Sequence, residues 1–365
     1  MNVDRWLVFE PLDTVAVRDG RSFDAGVQSV AKAVVPSPAT VAGAVGAAYG
    51  ADPGAGTNST ERGRTVPREI RGPLPMEWDD GRWSPWFPQP CDVVRDSVTK
   101  QVSRLASPDK SEFGDVATDL DDGDPDDIRL LSGDGEAQPG WWVLSQLRRY
   151  LRNEQVENAV GSPDPWLVEH RVGLARDEYR TARDGMLYAV EHLRPRRRLG
   201  FAVLCVDTPS GKPAGTVFLG GEGRRAAVHT PATDAISGFP DPPGSSPGGS
   251  PGDFPHGKLL LYLATPAVFA AGWRPSEQDL RGGRLVAAAT GPPQVISTAR
   301  PDRRTGGFGH ARTLWAVPAG SVYYLEFPTG QEAAKAAAAW HGTALPQKDE
   351  TLRTAGFGLA LTGRW

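Results

Sequence analysis

The chain has 365 residues with a net charge of -4, and 23% charged and 39% hydrophobic residues allow it to bury a core. Its 43 glycines and 33 prolines favour turns and exclude a simple helical bundle, and two cysteines exclude a disulfide framework or a Cys-rich zinc site. The charged N-terminus is unlike a signal peptide and no apolar run reaches the roughly 18 residues of a membrane span, which predicts a cytoplasmic protein without membrane contact.

Three helices are predicted. The first has Ser37 as its N-cap and Pro38 at its first position, and it ends at Gly50. The second runs from Trp141 to about Glu157, and the third is the alanine-rich stretch from Gln331 to His341. Nine strands are predicted as well. They are Trp6–Phe9, Trp166–Ala175, Met186–Leu193, Leu199–Val206, Lys258–Ala264, Arg284–Ala289, Gln294–Thr298, Ser321–Phe327 and Phe357–Thr362.

The order of these elements predicts an α+β fold of two ferredoxin-like (RRM-type) domains, because each half contains a strand, a helix, strands, a helix and a strand. We place the N-terminal domain at residues 1–198 and the C-terminal domain at 199–365. Two long loops interrupt them. Residues 107–139 are acidic, and residues 238–257 contain six glycines and six prolines.

No metal site or cofactor is predicted, because the six histidines never stand at metal-ligand spacing and no GxxxxGK[ST] phosphate loop is present. The basic residues point to a different ligand. They comprise 33 arginines and 7 lysines, and the planar guanidinium suits phosphate. A GC-rich genome also raises the arginine content, so the ratio alone does not identify the ligand.

Three glycine-rich elements lie beside predicted strands, where glycine allows a close approach of the backbone to an anion. A tight turn is the alternative for each of them, but nearby arginines favour phosphate binding. The elements are Gly220, Gly221 and Gly223 with Arg224 and Arg225, then Gly307 and Gly309, and finally Gly356 and Gly358.

A long polar hairpin tip is predicted between two of the strands. It carries Arg176, Arg180 and Arg183 for phosphates and Tyr179 as a stacking face for a base, although a solvated hairpin fits the same composition. Earlier in the chain, Arg18, Arg21 and Lys32 precede the helix whose N-terminus at Ser37 can attract a phosphate. The stretch with Trp78, Trp83, Trp86 and Phe87 is predicted as a protein interface or a surface-loop anchor.

Several segments together resemble the third subunit of the type III-B CRISPR Cmr complex, a family of the RAMP superfamily. They are WLVFEPLDTVAVRDGRSF (6–23), VPSPATVAGA (35–44), VEHRVGLARDEYRTARDGMLYAVEHLRP (168–195), FLGGEGRR (218–225), LATPAVFAAGWRP (263–275) and AGFGLALTGRW (355–365). The motifs occur in the order of the family and extend over the whole chain.

The resemblance implies two ferredoxin-like domains packed side by side in a non-catalytic subunit of an antiviral complex. It implies that the subunit holds the 5′ tag of the CRISPR RNA (crRNA) and contacts the large polymerase/cyclase-like subunit and the backbone RAMP subunits. The glycine loop before the final strand corresponds here to Gly356–Gly358. The residues that we expect to bind RNA are Arg18, Arg21, Lys32, Ser37, Arg171, Arg176, Tyr179, Arg180, Arg183, Gly220, Gly221, Gly223, Arg224, Arg225, Gly307, Gly309, Gly356 and Gly358.

Two alternatives remain open at the level of sequence. Some RAMP relatives cut precursor crRNA without metal, and His170, His310 and Tyr179 are the acid–base candidates near basic motifs. A scaffold that touches only protein is the other alternative.

Overall fold

The computed structural model describes residues 3–18, 30–51, 66–106, 130–137, 139–155, 161–243, 254–298 and 312–365. These residues form a mixed α/β structure that is rich in strands. The strands are β1 (Val3–Pro11), β2 (Val30–Ala31), β3 (Glu69–Asp79), β4 (Arg82–Pro88), β5 (Val93–Arg95), β6 (Val102–Arg104), β7 (Glu136–Ala137), β8 (Trp141–Val143), β9 (Trp166–Arg176), β10 (Ala182–Pro195), β11 (Leu199–Thr208), β12 (Thr216–Phe218), β13 (Arg225–His229), β14 (Lys258–Leu263), β15 (Arg284–Ala289), β16 (Gln294–Thr298), β17 (Arg312–Ala316), β18 (Val322–Glu326), β19 (Thr343–Ala344) and β20 (Leu359–Gly363). The helices are α1 (Pro38–Ala48), α2 (Leu144–Leu151), α3 (Gly330–Trp340) and α4 (Glu350–Thr354).

The chain divides into two compact units, each assembled from three segments. Unit 1 contains residues 1–83, 164–237 and 295–315, and unit 2 contains residues 84–163, 238–294 and 316–365. Residues 198 and 199 both lie in unit 1, where residue 198 stands between β10 and β11 and residue 199 is the first of β11. The division into folding domains at residue 198 stays a prediction.

Unit 1 contains an antiparallel sheet in which β12, β13, β1, β11 and β3 follow one another. The central strand β1 is fully buried at its middle, and its Phe9 lies opposite Phe201 of β11 and Val228 of β13. Helix α1 contacts β3 and β12 and begins where the Ser37 hydroxyl accepts a hydrogen bond from the Thr40 amide at 3.3 Å. The predicted first helix is therefore confirmed, with its cap.

A second sheet of unit 1 contains the long hairpin of β9 and β10, with β2 parallel to β10. The two hairpin strands pair from Trp166 opposite Pro195 to Arg176 opposite Ala182. Strand β9 is the outer strand of this sheet among the described residues. The hairpin therefore presents its polar tip and one strand edge at the surface of unit 1.

Unit 2 contains the antiparallel sheet with the order β15, β18, β14, β20 and β19. Strand β14 is almost entirely apolar (KLLLYL) and is buried from Leu259 to Leu263, as expected for a strand covered on both faces. Helix α3 buries Ala333, Ala336, Ala337 and Trp340 in the same core. Its bounds confirm the predicted alanine-rich helix.

Unit 2 also contains a buried ionic network around Asp92, whose carboxylate is fully shielded from solvent. The carboxylate accepts hydrogen bonds from the Tyr150 hydroxyl at 2.8 Å, from Arg104 Nε at 2.9 Å and from the Tyr324 hydroxyl at 2.5 Å. Arg104 also donates to the backbone carbonyl of Arg364 at 3.2 Å. The network thus joins β6, α2, β18 and the C-terminal segment of this unit.

Two sequence-based predictions need correction. Trp141–Val143 is a strand paired with β4 rather than the first turn of a helix, and α2 runs only from Leu144 to Leu151. Trp83 and Phe87 are buried in β4, so these two residues do not form a surface anchor, and a protein interface at this stretch stays a prediction. None of the described helices has the length and apolar character needed to cross a membrane.

Candidate nucleic-acid interface

The segment from Asp13 to Arg18 joins the predicted basic elements of unit 1. Val15 exchanges two backbone hydrogen bonds of 2.9 Å with Leu193 at the base of the β9–β10 hairpin. The carbonyl of Ala16 accepts a bond of 2.7 Å from the Gly221 amide, and Arg18 pairs with Ala33 in a β-bridge. The structure therefore brings Arg18, Lys32 and the Gly220 turn next to the hairpin base.

Three arginines from different elements converge on the carboxylate of Asp13. Arg171 of β9, Arg194 of β10 and Arg224 of the glycine turn approach it at 3.1, 3.0 and 2.9 Å. Glu169 accepts hydrogen bonds from Arg171 at 2.8 Å and from Arg194. We call these five residues the Asp13 cluster. Two predicted RNA-binding residues, Arg171 and Arg224, are thus paired with carboxylates, and their contact with RNA stays a prediction.

The arginines stabilise the ionised carboxylates of the cluster. Hydrogen bonds from Arg194 and Arg171 lower the pKa of Glu169 from its ordinary value of 4.5 to about 2. Slight burial acts to raise the pKa of Asp13, but hydrogen bonds and charges of Arg171 and Arg194 outweigh it and lower that pKa. Both carboxylates therefore stay charged well into the acidic range.

These lowered pKa values predict acid sensitivity of the hairpin base. A carboxyl group with a lowered pKa in the folded protein stabilises it above the unfolded value, and this stabilisation is lost as the pH falls through the folded value. The free energy of unfolding should decline from about pH 4.5 towards about pH 2, and less steeply in Glu169→Gln. Urea unfolding across this range measures it, with exposed Glu178→Gln as the control. An equal slope in parent and Glu169→Gln would contradict the prediction.

The first glycine-rich element is a tight turn fixed to the Asp13–Arg18 segment. Gly220, Glu222 and Gly223 all have positive φ angles, of 80°, 54° and 65°. The amide of Leu219 donates to the carbonyl of Arg224 at 2.9 Å and closes the turn. A Cβ at Gly220 would lie 2.5 Å from the Ala16 carbonyl oxygen, so only glycine allows this close approach.

The hairpin tip holds four of the predicted residues in exposed positions. The Asp177 carboxylate accepts hydrogen bonds from the amides of Tyr179 and Thr181, at 2.9 and 2.8 Å, and shapes the turn. The Tyr179 side chain is 80% exposed. Arg176, Arg180 and Arg183 are exposed beside it. The tip therefore combines a free aromatic face with cationic side chains.

The tip and the hairpin residues of the Asp13 cluster occupy different parts of the β9–β10 hairpin. Arg176 lies five residues beyond Arg171 on β9, about 17 Å at 3.3 Å per residue. His170 lies six residues before Arg176 on β9, about 20 Å at the same rise, and its ring is 3.9 Å from Glu191. Within the described chain, the acid–base candidates of the nuclease alternative are therefore not brought together.

The start of α1 offers fewer free amides than a helix N-terminus usually does. Pro38 has no amide hydrogen, and the amide of Thr40 is already bound by Ser37. Lys32 nearby is exposed. Phosphate binding at Ser37 remains a prediction that these hydrogen bonds do not favour.

The glycine element before the last strand is packed inside unit 2. Gly356 and Gly358 are buried, and their amides donate to the carbonyls of Arg353 and Pro266 at 3.1 and 2.8 Å. These amides are engaged within the protein, so they do not form an open anion site in this conformation. RNA binding at Gly356 and Gly358 stays a prediction. The predicted residues Arg21, Gly307 and Gly309, together with His310, lie outside the described residues.

Sequence reasoning missed Asp13, Glu169, Arg194 and Phe218. The alternation of Glu169 with Arg171 on β9 places both side chains on one face, but only the pairing register shows that Arg194 joins them. Phe218 is an exposed aromatic residue beside the glycine turn. In the part of the chain that the structure describes, no group of three or more His, Cys, Asp or Glu residues is arranged to hold a metal ion.

The fold and the exposed basic hairpin define a strand-rich α/β protein with a candidate single-stranded RNA surface. A family model described as "CRISPR-associated protein (Cas_Cmr3)" matches residues 7–365. The chain therefore belongs to the CRISPR-associated Cmr3 family, which confirms the resemblance seen in the sequence. A search of the curated proteins finds no match.

A solved structure has a similar fold. The chain is similar to one described as the cryo-EM structure of the type III-B Cmr-beta bound to cognate target RNA and AMPPnP, with a TM-score of 0.51 and 14% identity, covering 88% of this chain and 86% of that chain. A structure of the type III-B Cmr-beta bound to cognate target RNA has a TM-score of 0.49 at the same identity and coverage. At this identity the likeness describes the fold alone.

Proposed function

We propose that this chain is a non-catalytic subunit of a type III-B CRISPR effector complex and holds the 5′ tag of the crRNA. Its partners are the large polymerase/cyclase-like subunit, which it docks, and the backbone RAMP subunits, in the cytoplasm. Membership of the Cmr3 family over residues 7–365 supports the assignment to the complex. The arrangement of the β9–β10 hairpin supports the role in RNA binding.

The two sheets support a ferredoxin-like fold for both compact units of the protein. In that fold the four strands lie in the order 4-1-3-2 and all neighbours are antiparallel. In unit 1 the corresponding order is β13, β1, β11 and β3. Helix α1 lies between β1 and β3 in the chain, as the first helix of that fold does. In unit 2 it is β20, β14, β18 and β15, with α3 before the last strand. We assign each sheet to a ferredoxin-like domain on this basis.

The exposed hairpin tip is the observation that carries the proposed RNA contact. Single-stranded RNA is bound by cations along its backbone and by aromatic rings on which bases stack. Tyr179 is mostly exposed and stands among three exposed arginines. Hydrogen bonds from the amides of Tyr179 and Thr181 to the Asp177 carboxylate shape the turn that carries these side chains.

Replacing Arg180 and Arg183 together by alanine should weaken crRNA binding by the assembled complex. Each lost phosphate contact lowers the slope of log affinity against log salt by about 0.7 for single-stranded RNA, so two contacts lower it by about 1.4. Binding of tagged and untagged guides is measured at several salt concentrations.

The matched control removes two exposed arginines of the same unit far from the hairpin tip in sequence, as Arg68→Ala with Arg82→Ala. This control should bind the tagged guide as the parent does. If the hairpin variant binds as tightly as the parent with an unchanged salt slope, the hairpin does not hold the tag.

A further inference from the structure

Phe218 is a large aromatic side chain that remains 61% exposed on the surface of unit 1. It stands at the end of β12, which is the outermost strand of its sheet in the described part of the chain. In the antiparallel pairing it lies directly opposite Arg225 of β13, and the guanidinium carbon of Arg225 lies 4.9 Å from the centre of the ring. Because Arg225 covers one face, the exposed area lies on the other face and the edge of the ring.

The position of this ring is fixed by the glycine turn that connects the two strands. Hydrogen bonds from Leu219 to Arg224 and from Arg224 to Gly221 close the turn, and Gly221 is bound to Ala16. Arg224 is bound to Asp13 as part of the Asp13 cluster. The ring is therefore presented on a rigid hairpin rather than on a loose loop.

The chemistry of the pair suits an unpaired nucleobase. An exposed aromatic face binds any base by stacking, and a guanidinium on the opposite face of the ring supplies a positive charge that attracts a nucleotide phosphate. An aliphatic peptide side chain would gain only apolar contact from the same surface. The cationic neighbour and the flat exposed ring therefore favour a nucleotide over a protein partner.

We propose that Phe218, backed by Arg225, is a stacking site for one unpaired base of the bound RNA. This site lies on the β12–β13 hairpin and is additional to the tip that carries Tyr179. The inference rests on the proposed function, because it takes the bound RNA to be the guide. It assigns to Phe218 the binding of one unpaired base, which the proposed function leaves open.

The test uses the assembled complex and a tagged guide in which 2-aminopurine replaces one base of the tag at a time. Stacking on an aromatic ring quenches the fluorescence of this base analogue, so in the parent protein the base position that stacks on Phe218 should be quenched, in addition to any position that stacks on Tyr179. Phe218→Leu should lose that quenching and bind about fivefold or more weakly, and Phe218→Tyr should retain both. Leu12→Ala is the matched control, since Leu12 is 62% exposed and adjoins the same hairpin through its bond to Arg225.

Each outcome decides the proposal. If Phe218→Leu keeps the affinity and the quenching profile of the parent, the stacking site is excluded while guide binding by the parent stands. If Leu12→Ala weakens binding as much as Phe218→Leu does, the surface acts through apolar contact and not through stacking. If the parent complex binds no guide through this subunit, the proposed function and the stacking site both fail.

Discussion

Replacing Asp92 by alanine should destabilise the protein by about 3 to 5 kcal/mol. The carboxylate of Asp92 is fully buried and is the charge partner of Arg104, whose guanidinium is held against the rings of Tyr150 and Tyr324 at 4.6 and 5.3 Å. Without the carboxylate, the variant leaves a buried cation and two tyrosine hydroxyls without their acceptor. Urea unfolding at neutral pH measures the loss.

Two further variants test whether the loss of stability comes from the unpaired buried charge. Asp134→Ala removes an exposed carboxylate of the same unit and should change the free energy of unfolding by less than about 0.5 kcal/mol. The double variant Asp92→Leu with Arg104→Met removes both charges and should be less destabilised than Asp92→Ala. Equal stability of Asp92→Ala and the parent would show that the network contributes nothing.

Replacing Trp83 by alanine should cost a similar amount, about 3 to 5 kcal/mol. Trp83 is buried in unit 1, where its ring packs edge-on against Trp78 at 5.3 Å and lies under the guanidinium of Arg198 at 5.5 Å. Gly200 allows this packing, because a Cβ there would lie 3.3 Å from the Trp83 ring and 2.4 Å from Val8. Truncation of Trp83 leaves a large cavity. Chemical denaturation of Trp83→Ala and the parent protein measures the loss of stability.

Trp315 provides the matched control for this substitution. It is also a tryptophan of unit 1, but it is 70% exposed on β17. Trp315→Ala should therefore change the free energy of unfolding by less than about 0.5 kcal/mol. If Trp83→Ala and Trp315→Ala are equally stable, the buried packing of Trp83 does not contribute to the free energy of unfolding.

The regular elements with strong local signals were predictable from the sequence. Helix α1 was identified from its Ser–Pro start, and β15 and β16 were predicted at their observed bounds. Strands β3 and β4 escaped prediction because Pro73, Pro75 and Pro85 interrupt their patterns, and proline usually marks the edge of a sheet. Here the contacts of the whole sheet outweigh the local preference of these residues.

The candidate site was predictable only in part, since residue types indicate a ligand but not which side chains are already paired. The exposed tip with Arg180 and Tyr179 fits the expectation from its polar composition. Arg171 and Arg224 look equally available in the sequence, yet the fold brings both to Asp13 from elements about 50 residues apart. Long-range register and turn geometry decide such pairing, and neither is encoded in a short motif.

The division of each unit into three segments has a consequence for synthesis on the ribosome. Strand β1 pairs with β11, so that Leu7 cannot pair until Val203 has been synthesised, 196 residues later. Translation adds roughly 5 to 20 residues per second, which leaves the apolar flank of β1 unpaired for roughly ten seconds or longer. Unit 1 further needs residues up to 315, and unit 2 needs the segment that follows. Nascent chains of this protein therefore depend on protection from aggregation for most of their synthesis, and both units are completed almost together at its end.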